Sequence, residues 1–116
     1  MTKDNIKGFK LIKQSAKGEN LCGITMLGFC YHNGIGTIIN KLKAFELYHK
    51  AAHLKDTIAQ YNLAEMYENG DRIKKDINNA TCWYKKSAEQ GDNDAQNKLD
   101  LLKNKNKNKH NSCKIN

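Results

Sequence analysis

Apolar residues fall on one helical face again and again along this chain. Ile6, Phe9, Ile12 and Ala16 form the first stripe, and Met26, Leu27, Cys30 and Tyr31 the second. Ala44, Phe45, Leu47, Tyr48, Ala51 and Ala52 form the third, and Leu63, Ala64, Met66 and Tyr67 the fourth. Ala80, Trp83, Tyr84 and Ala88 follow, then Ala95, Leu99 and Leu102. The spacings suit a helix of about 3.6 residues per turn, and no sustained period-two alternation suggests strands.

Between the stripes stand residues that cap helices. Asp4, Asn40 and Asp76 form one series, and Asn20, Asp56 and Asp92 a second, each repeating every 36 residues. Such side chains accept hydrogen bonds from the first unpaired amides of a helix. The two series alternate at 16 and 20 residues. They predict an all-α chain of six helices in antiparallel pairs, over about 4–17, 21–33, 41–54, 57–69, 77–90 and 93–104. Gly34 and Gly70 end the second and fourth helices, where a left-handed residue closes the last turn.

The same 36-residue register relates Tyr31 to Tyr67, Ala44 to Ala80, Tyr48 to Tyr84, and Ala16 to Ala52 and Ala88. A fixed period of this size is the mark of a stacked repeat array. Leu27 and Leu63 hold the core of the first helix in each pair. Gly28 and Ala64 are its small positions, and Ala44 and Ala80 are those of the second helix. Small residues let the helices approach, while the tyrosines fill the wider gaps. Trp83 reads as core at its repeat position.

The ends differ. The chain opens on a half repeat over 4–18, followed by full repeats at 23–58 and 59–94 and a capping helix at 93–104. Asp100 and Lys103 stand there at the small and tyrosine positions. A polar outer face of that kind terminates an array. Residues 1–103 thus form the repeat unit. Residues 105–116 are rich in Lys and Asn, lack periodicity, and are expected to be disordered.

Composition refines this picture. With 116 residues, 39% hydrophobic and 28% charged, the chain matches one ordinary globular unit. The net charge of +8 gathers at the end: Lys103, Lys105, Lys107, Lys109 and Lys114 leave the preceding residues with fifteen basic and twelve acidic side chains. Arg72 is the only arginine, which argues against phosphate or base readout by the arginine fork. No aromatics interleave with the tail lysines for base stacking. No apolar run approaches the roughly 20 residues of a membrane span, and the start carries no apolar signal segment. These features point to a cytoplasmic location and to reduced thiols at Cys22, Cys30, Cys82 and Cys113.

The run from Leu63 through Tyr67 to Gly70, then Lys75-Asp76, Ala80, Trp83-Tyr84 and Ser87-Ala88-Glu89-Gln90-Gly91, resembles the Sel-one-like repeat (SLR) family. The preceding copy, from Leu27-Gly28 through Tyr31 and Gly34 to Gly36, Ala44-Phe45 and Ala51-Ala52, follows the same pattern. The related tetratricopeptide repeat is shorter, at about 34 residues, and typically closes with Pro, which this chain lacks. Departures fall at Lys55 and Arg72, which replace expected glycines, and at Thr81, which replaces Phe. The resemblance implies a right-handed α/α superhelix, or solenoid, acting as a non-catalytic scaffold or adaptor without cofactor. It implies a peptide or protein partner on a concave face lined by the first helix of each pair. The outward positions there are Thr25, Phe29 and His32, then Tyr61, Glu65 and Glu68, then Asn97. An alternative is a C-terminal accessory fragment of a larger signalling protein, for example one linked to a kinase. Weak nucleic-acid binding through the tail is a further alternative. The chain is expected to be a monomer or part of a longer array.

Other chemistry finds little support. His49 and His53 share a helix face at a spacing that two zinc ligands can use, but Lys50 stands where a metalloprotease helix needs Glu. A solvated face is the preferred reading, and no metal site is assigned. No nucleophile triad, P-loop or dinucleotide fingerprint is present. At the small position of the fourth helix, Ala64→Leu is expected to overpack the helix crossing. The loss should be about 1–3 kcal/mol in urea denaturation.

Overall fold

A computed structural model describes residues 1–105 and contains six α-helices with no strand among them. They are α1 (Lys3–Lys17), α2 (Leu21–Asn33), α3 (Lys41–His53), α4 (Thr57–Asn69), α5 (Ile77–Glu89) and α6 (Asn93–Lys105). The Lys/Asn-rich stretch beyond Lys105 lies outside the described residues. Helices pack chiefly against their neighbours in sequence, giving an all-α solenoid with extents of 50 × 24 × 23 Å. No helix among the described residues is long and apolar enough to cross a membrane.

The cap series sets most helix starts. Asn20, Asn40, Asp56 and Asp76 accept from the amides of Gly23, Lys43, Ala59 and Asn79 at 2.9–3.0 Å. Asp92 accepts from the Asp94 amide at 3.0 Å. The first helix differs. Thr2, not Asp4, is its cap, accepting from the Asn5 amide at 3.1 Å, and Asp4 sits inside the first turn. An acid there still complements the helix dipole.

Gly34 and Gly70 close α2 and α4 at φ 70° and 65°, their amides donating to the carbonyls of Cys30 and Met66. The two departures from glycine keep glycine's geometry. Lys55 has φ 73° and Arg72 has φ 65°, against 99° at Gly91 and 71° at Gly36. Each side chain is thus held in a region that L-residues enter at a cost of about 1–2 kcal/mol. Turn closure imposes it: the Lys55 amide donates to Ala52 at 3.0 Å and the Asp56 amide to Ala51 at 3.0 Å. Gly36 carries a second constraint, because a Cβ there would run into the Asn5 carbonyl of α1.

The core runs along the array through Ile24, Tyr48, Leu63, Trp83, Tyr84 and Leu99, with alanines at the crossings. Ala44, Ala64, Ala80 and Ala95 are all fully buried. The ring of Tyr48 lies against Gly28 so closely that a methyl group there would sit 2.8 Å from it. Tyr84 is equally buried, and its hydroxyl donates to Glu68 at 2.6 Å. A bond of this kind to a carboxylate contributes about 1.5–3 kcal/mol.

A second repeated contact joins adjacent units. Phe9 meets Tyr31 edge-on at 5.5 Å and 86°, and Phe45 meets Tyr67 at 5.5 Å and 87°. One period later the pair becomes Thr81 and Lys103, and these residues line a cavity of about 380 Å³ with Cys82, Ala88 and Leu99. The buried Cys82 is disulfide-bonded, against the expectation of a reduced thiol there. Cys22 and Cys30 are free thiols. Two apolar expectations also fail. Helix α1 buries no residue fully, with Ile6 37% exposed, and Met26 of α2 is 47% exposed.

Removing the side chain at Lys55 or Arg72 should relieve backbone strain, as neither side chain makes a hydrogen bond or an ion pair at bonding distance among the described residues. Lys55→Gly and Arg72→Gly are each expected to stabilise the fold by about 0.5–1 kcal/mol, the relief of strain exceeding glycine's added chain entropy. Urea denaturation of the single and double variants checks this, and the two gains should add.

Candidate functional site

The positions expected to face outward lie on the first helix of each pair: Thr25, Phe29 and His32 on α2, Tyr61, Glu65 and Glu68 on α4, and Asn97 on α6. Their spacing puts each set of three on one helix face. Equivalent positions carry unlike side chains, so their environments diverge.

Thr25 is buried and does not face outward. Its hydroxyl donates to Asp56 at 2.8 Å, tying α2 to the carboxylate that caps α4. Tyr61 occupies the same place one period later. Its larger ring remains half-buried and packs edge-on against Tyr84 at 5.4 Å. Burial raises its hydroxyl pKa, helped by the carboxylates of Glu65, Asp94, Asp92 and Glu68. Asn97 is exposed.

Phe29 and Glu65 are the next equivalent pair, and the fold brings them together. With His32, Asn33, Asn62 and Tyr48 they line a cavity of about 170 Å³ between α2 and α4. Tyr48 of α3 forms its floor and is almost fully buried, whereas Phe29 leaves half its surface exposed. The His32 ring lies 6.4 Å from the Tyr48 ring. Burial raises the Tyr48 hydroxyl pKa above the usual range, with Cys30 and the Glu65 carboxylate adding to it.

Glu65 and Glu68 stand one turn apart but differ chemically. Glu68 accepts from the Tyr84 hydroxyl and pairs with Lys98 at 3.7 Å. Glu65 makes neither a hydrogen bond nor an ion pair among the described residues. Desolvation pushes its pKa above the usual carboxylate range; Lys98 pulls it back, Glu68 pushes it further, and His32 pulls it back.

The sequence did not single out Tyr48, Asn62 or Lys98 as part of this surface. A signal for Lys98 exists in the stacking. It lies thirty residues from Glu68, a separation that recurs between units in Lys41–Asp71, Thr57–Ser87 and Gln60–Gln90. Asn62 lies three residues before Glu65 and so shares its helix face.

The histidine pair lies elsewhere. The rings of His49 and His53 are 4.2 Å apart, His53 meets Trp83 at 5.0 Å, and a ring nitrogen of His53 faces the His49 carbonyl at 2.9 Å. Among the described residues no group of three or more His, Cys, Asp or Glu side chains could hold a metal ion.

A family model described as the Sel1 repeat matches residues 1–20, 23–56 and 57–92. Over 81 residues, 70% of this chain, the sequence is 38% identical to the sel1-like repeat-containing protein L21 of Acanthamoeba polyphaga mimivirus, of which it spans 14%. The chain is also similar to the crystal structure of c5321, a protective antigen present in uropathogenic Escherichia coli strains and displaying an SLR fold. There the TM-score is 0.84 at 35% identity, covering 90% of this chain and 23% of that one. A Sel1 repeat protein from Oxalobacter formigenes superposes with a TM-score of 0.73 at 31% identity, covering 85% of this chain and 44% of that one.

A raised carboxyl pKa means that the folded state holds this proton more tightly than the unfolded chain does. The stability it contributes is present below the unfolded-state pKa and lost as pH rises through the folded one. Glu65→Gln is therefore expected to raise the melting temperature at about pH 7, with the difference from wild type vanishing at about pH 3. Differential scanning calorimetry across that range checks the sign.

Proposed function

This chain belongs to the Sel1 repeat family, and from that premise we propose that it is a non-catalytic scaffold whose cleft between α2 and α4 receives a peptide or partner protein. Sel1 repeats generally serve as protein–protein interaction scaffolds. The observation that carries the proposal for this chain is Phe29. It is an aromatic ring left half exposed at the mouth of a cavity, beside an almost fully buried tyrosine and an unbonded carboxylate.

Interfaces draw most of their energy from a few aromatic anchors seated in pockets, with polar groups around them fixing orientation. The cleft has this composition. Phe29 supplies the anchor surface, Glu65 supplies charge, and His32, Asn62 and Asn33 supply donors and acceptors. Tyr61 extends the aromatic surface along α4 toward a second depression lined by Ile58, Gly91 and Asp94. Glu68 and Asn97 continue it toward α6, while Thr25 supports it from below through Asp56. The cleft cavity of about 170 Å³ is small beside the roughly 300–1,000 Å³ of sites that enclose a whole small molecule. It suits side chains of a larger partner laid along the helices.

Capture of partners from a lysate, followed by mass spectrometry, identifies candidates, and titration of each purified candidate tests the face. Phe29→Ala with Tyr61→Ala is expected to weaken binding of a true cleft partner at least tenfold, roughly the 1.4 kcal/mol or more that an anchor contributes. Circular dichroism confirms that the variant keeps its fold. Unchanged affinity for every candidate would refute the cleft as the interaction face.

A further inference from the structure

The cleft contains a carboxylate that the rest of the chain leaves unneutralised at bonding distance. Lys98 is held by Glu68 at 3.7 Å, and no described side chain makes a hydrogen bond or an ion pair with Glu65. The acid is half-buried and lines, with Phe29 and Tyr48, a cavity of about 170 Å³, room for the end of one side chain. Aromatic walls with one carboxylate suit a long aliphatic stem ending in a cation. The stem covers apolar surface, the aromatic faces attract the charge, and the carboxylate accepts its hydrogen bonds. A neutral apolar side chain would fill the same space but leave Glu65 desolvated without compensation.

The surrounding charges limit the occupant to one cation. His32 lines the same cavity and Lys98 lies within electrostatic reach of Glu65. The whole chain carries +8, so long-range forces oppose a basic partner and recognition must be local. We propose that the cleft between α2 and α4 engages a partner peptide by admitting one of its lysine or arginine side chains against Glu65, with the stem over Phe29 and Tyr48. This assignment rests on the cleft being the interaction face and adds the chemistry of its partner.

The test uses the full chain, immobilised, and short peptide pools that differ in one fixed central residue: lysine, arginine, norleucine or glutamate. On wild type, the lysine or arginine pool should be retained at least about fivefold over the norleucine pool, as expected for a partly exposed charge over an aromatic face. Raising the salt should shrink the preference. Glu65→Gln should bring the cationic pools to parity with norleucine, whereas Phe29→Ala should lower retention of every pool. A wild-type norleucine or glutamate pool held as well as the cationic ones would overturn the assignment, as would a cationic preference surviving in Glu65→Gln. Retention of no pool would do the same. Should Phe29→Ala still lower retention in the first two cases, the cleft remains the interaction face and only the cation is lost. Concentration-dependent dimerisation that disappears in Glu65→Gln would put a second copy in the pocket, which also overturns the peptide assignment.

Discussion

The spacing of the helices depends on how closely a tyrosine of one helix can lie against the backbone of its partner. Tyr48 rests against Gly28 with no room for a methyl group. A shorter side chain at 48 would leave a void, and a larger one at 28 would force the pair apart. Tyr84 holds the corresponding place in the next pair and adds a hydrogen bond to Glu68. Because the distance within each pair is fixed, the turns that close the pairs are fixed too. That is why Arg72, in the turn inside the second pair, accepts the left-handed backbone that Gly36 adopts in the first. The same constraint builds the cleft, since the ring that sets the helix spacing is also its floor.

An array of this kind is close to one-dimensional: each helix packs mainly on its neighbours, and inter-unit ties recur at a constant separation. The Phe9–Tyr31 and Phe45–Tyr67 contacts share one geometry because the backbone beneath them repeats. Where the side chains cease to repeat, at Thr81 and Lys103, the stack gives way to a cavity. The backbone period thus survives a change that the packing does not.

Much of this was legible in the residues because the governing forces are local. Asn20, Asn40, Asp56 and Asp76 bond amides three residues on, so their capping role needs no knowledge of the rest of the chain. Trp83 and the crossing alanines follow from helical periodicity and are buried as expected. Departures arise where a distant group decides. Thr25 turns inward because Asp56, thirty-one residues later, offers an acceptor. The first helix departs as well, with Thr2 and not Asp4 accepting from its first free amides. The exposure of Met26 and the bond at Cys82 likewise depend on neighbours that no local pattern names. In the candidate site, the exposure of Phe29 and Asn97 could be read from the period, whereas the burial of Thr25 could not. The pairing of Phe29 with Glu65 across one cavity could not, because it needs the distance between α2 and α4.

That pairing shows how a repetitive scaffold acquires a particular chemistry. Phe29 and Glu65 occupy the same place in successive units, so stacking alone brings them to one cavity. Had both positions been phenylalanine, the cleft would be an apolar trough. Had both been glutamate, mutual repulsion would have raised the cost of burying either. One of each yields a surface that is apolar on one wall and charged on the other, at a spacing the backbone dictates. The stabilising contacts lie elsewhere, in Tyr48 against Gly28 and in the buried alanines. Phe29 and Glu65 can therefore differ from unit to unit while the helix spacing stays the same. The period fixes where the cleft lies, and the mismatch between equivalent residues fixes its chemistry.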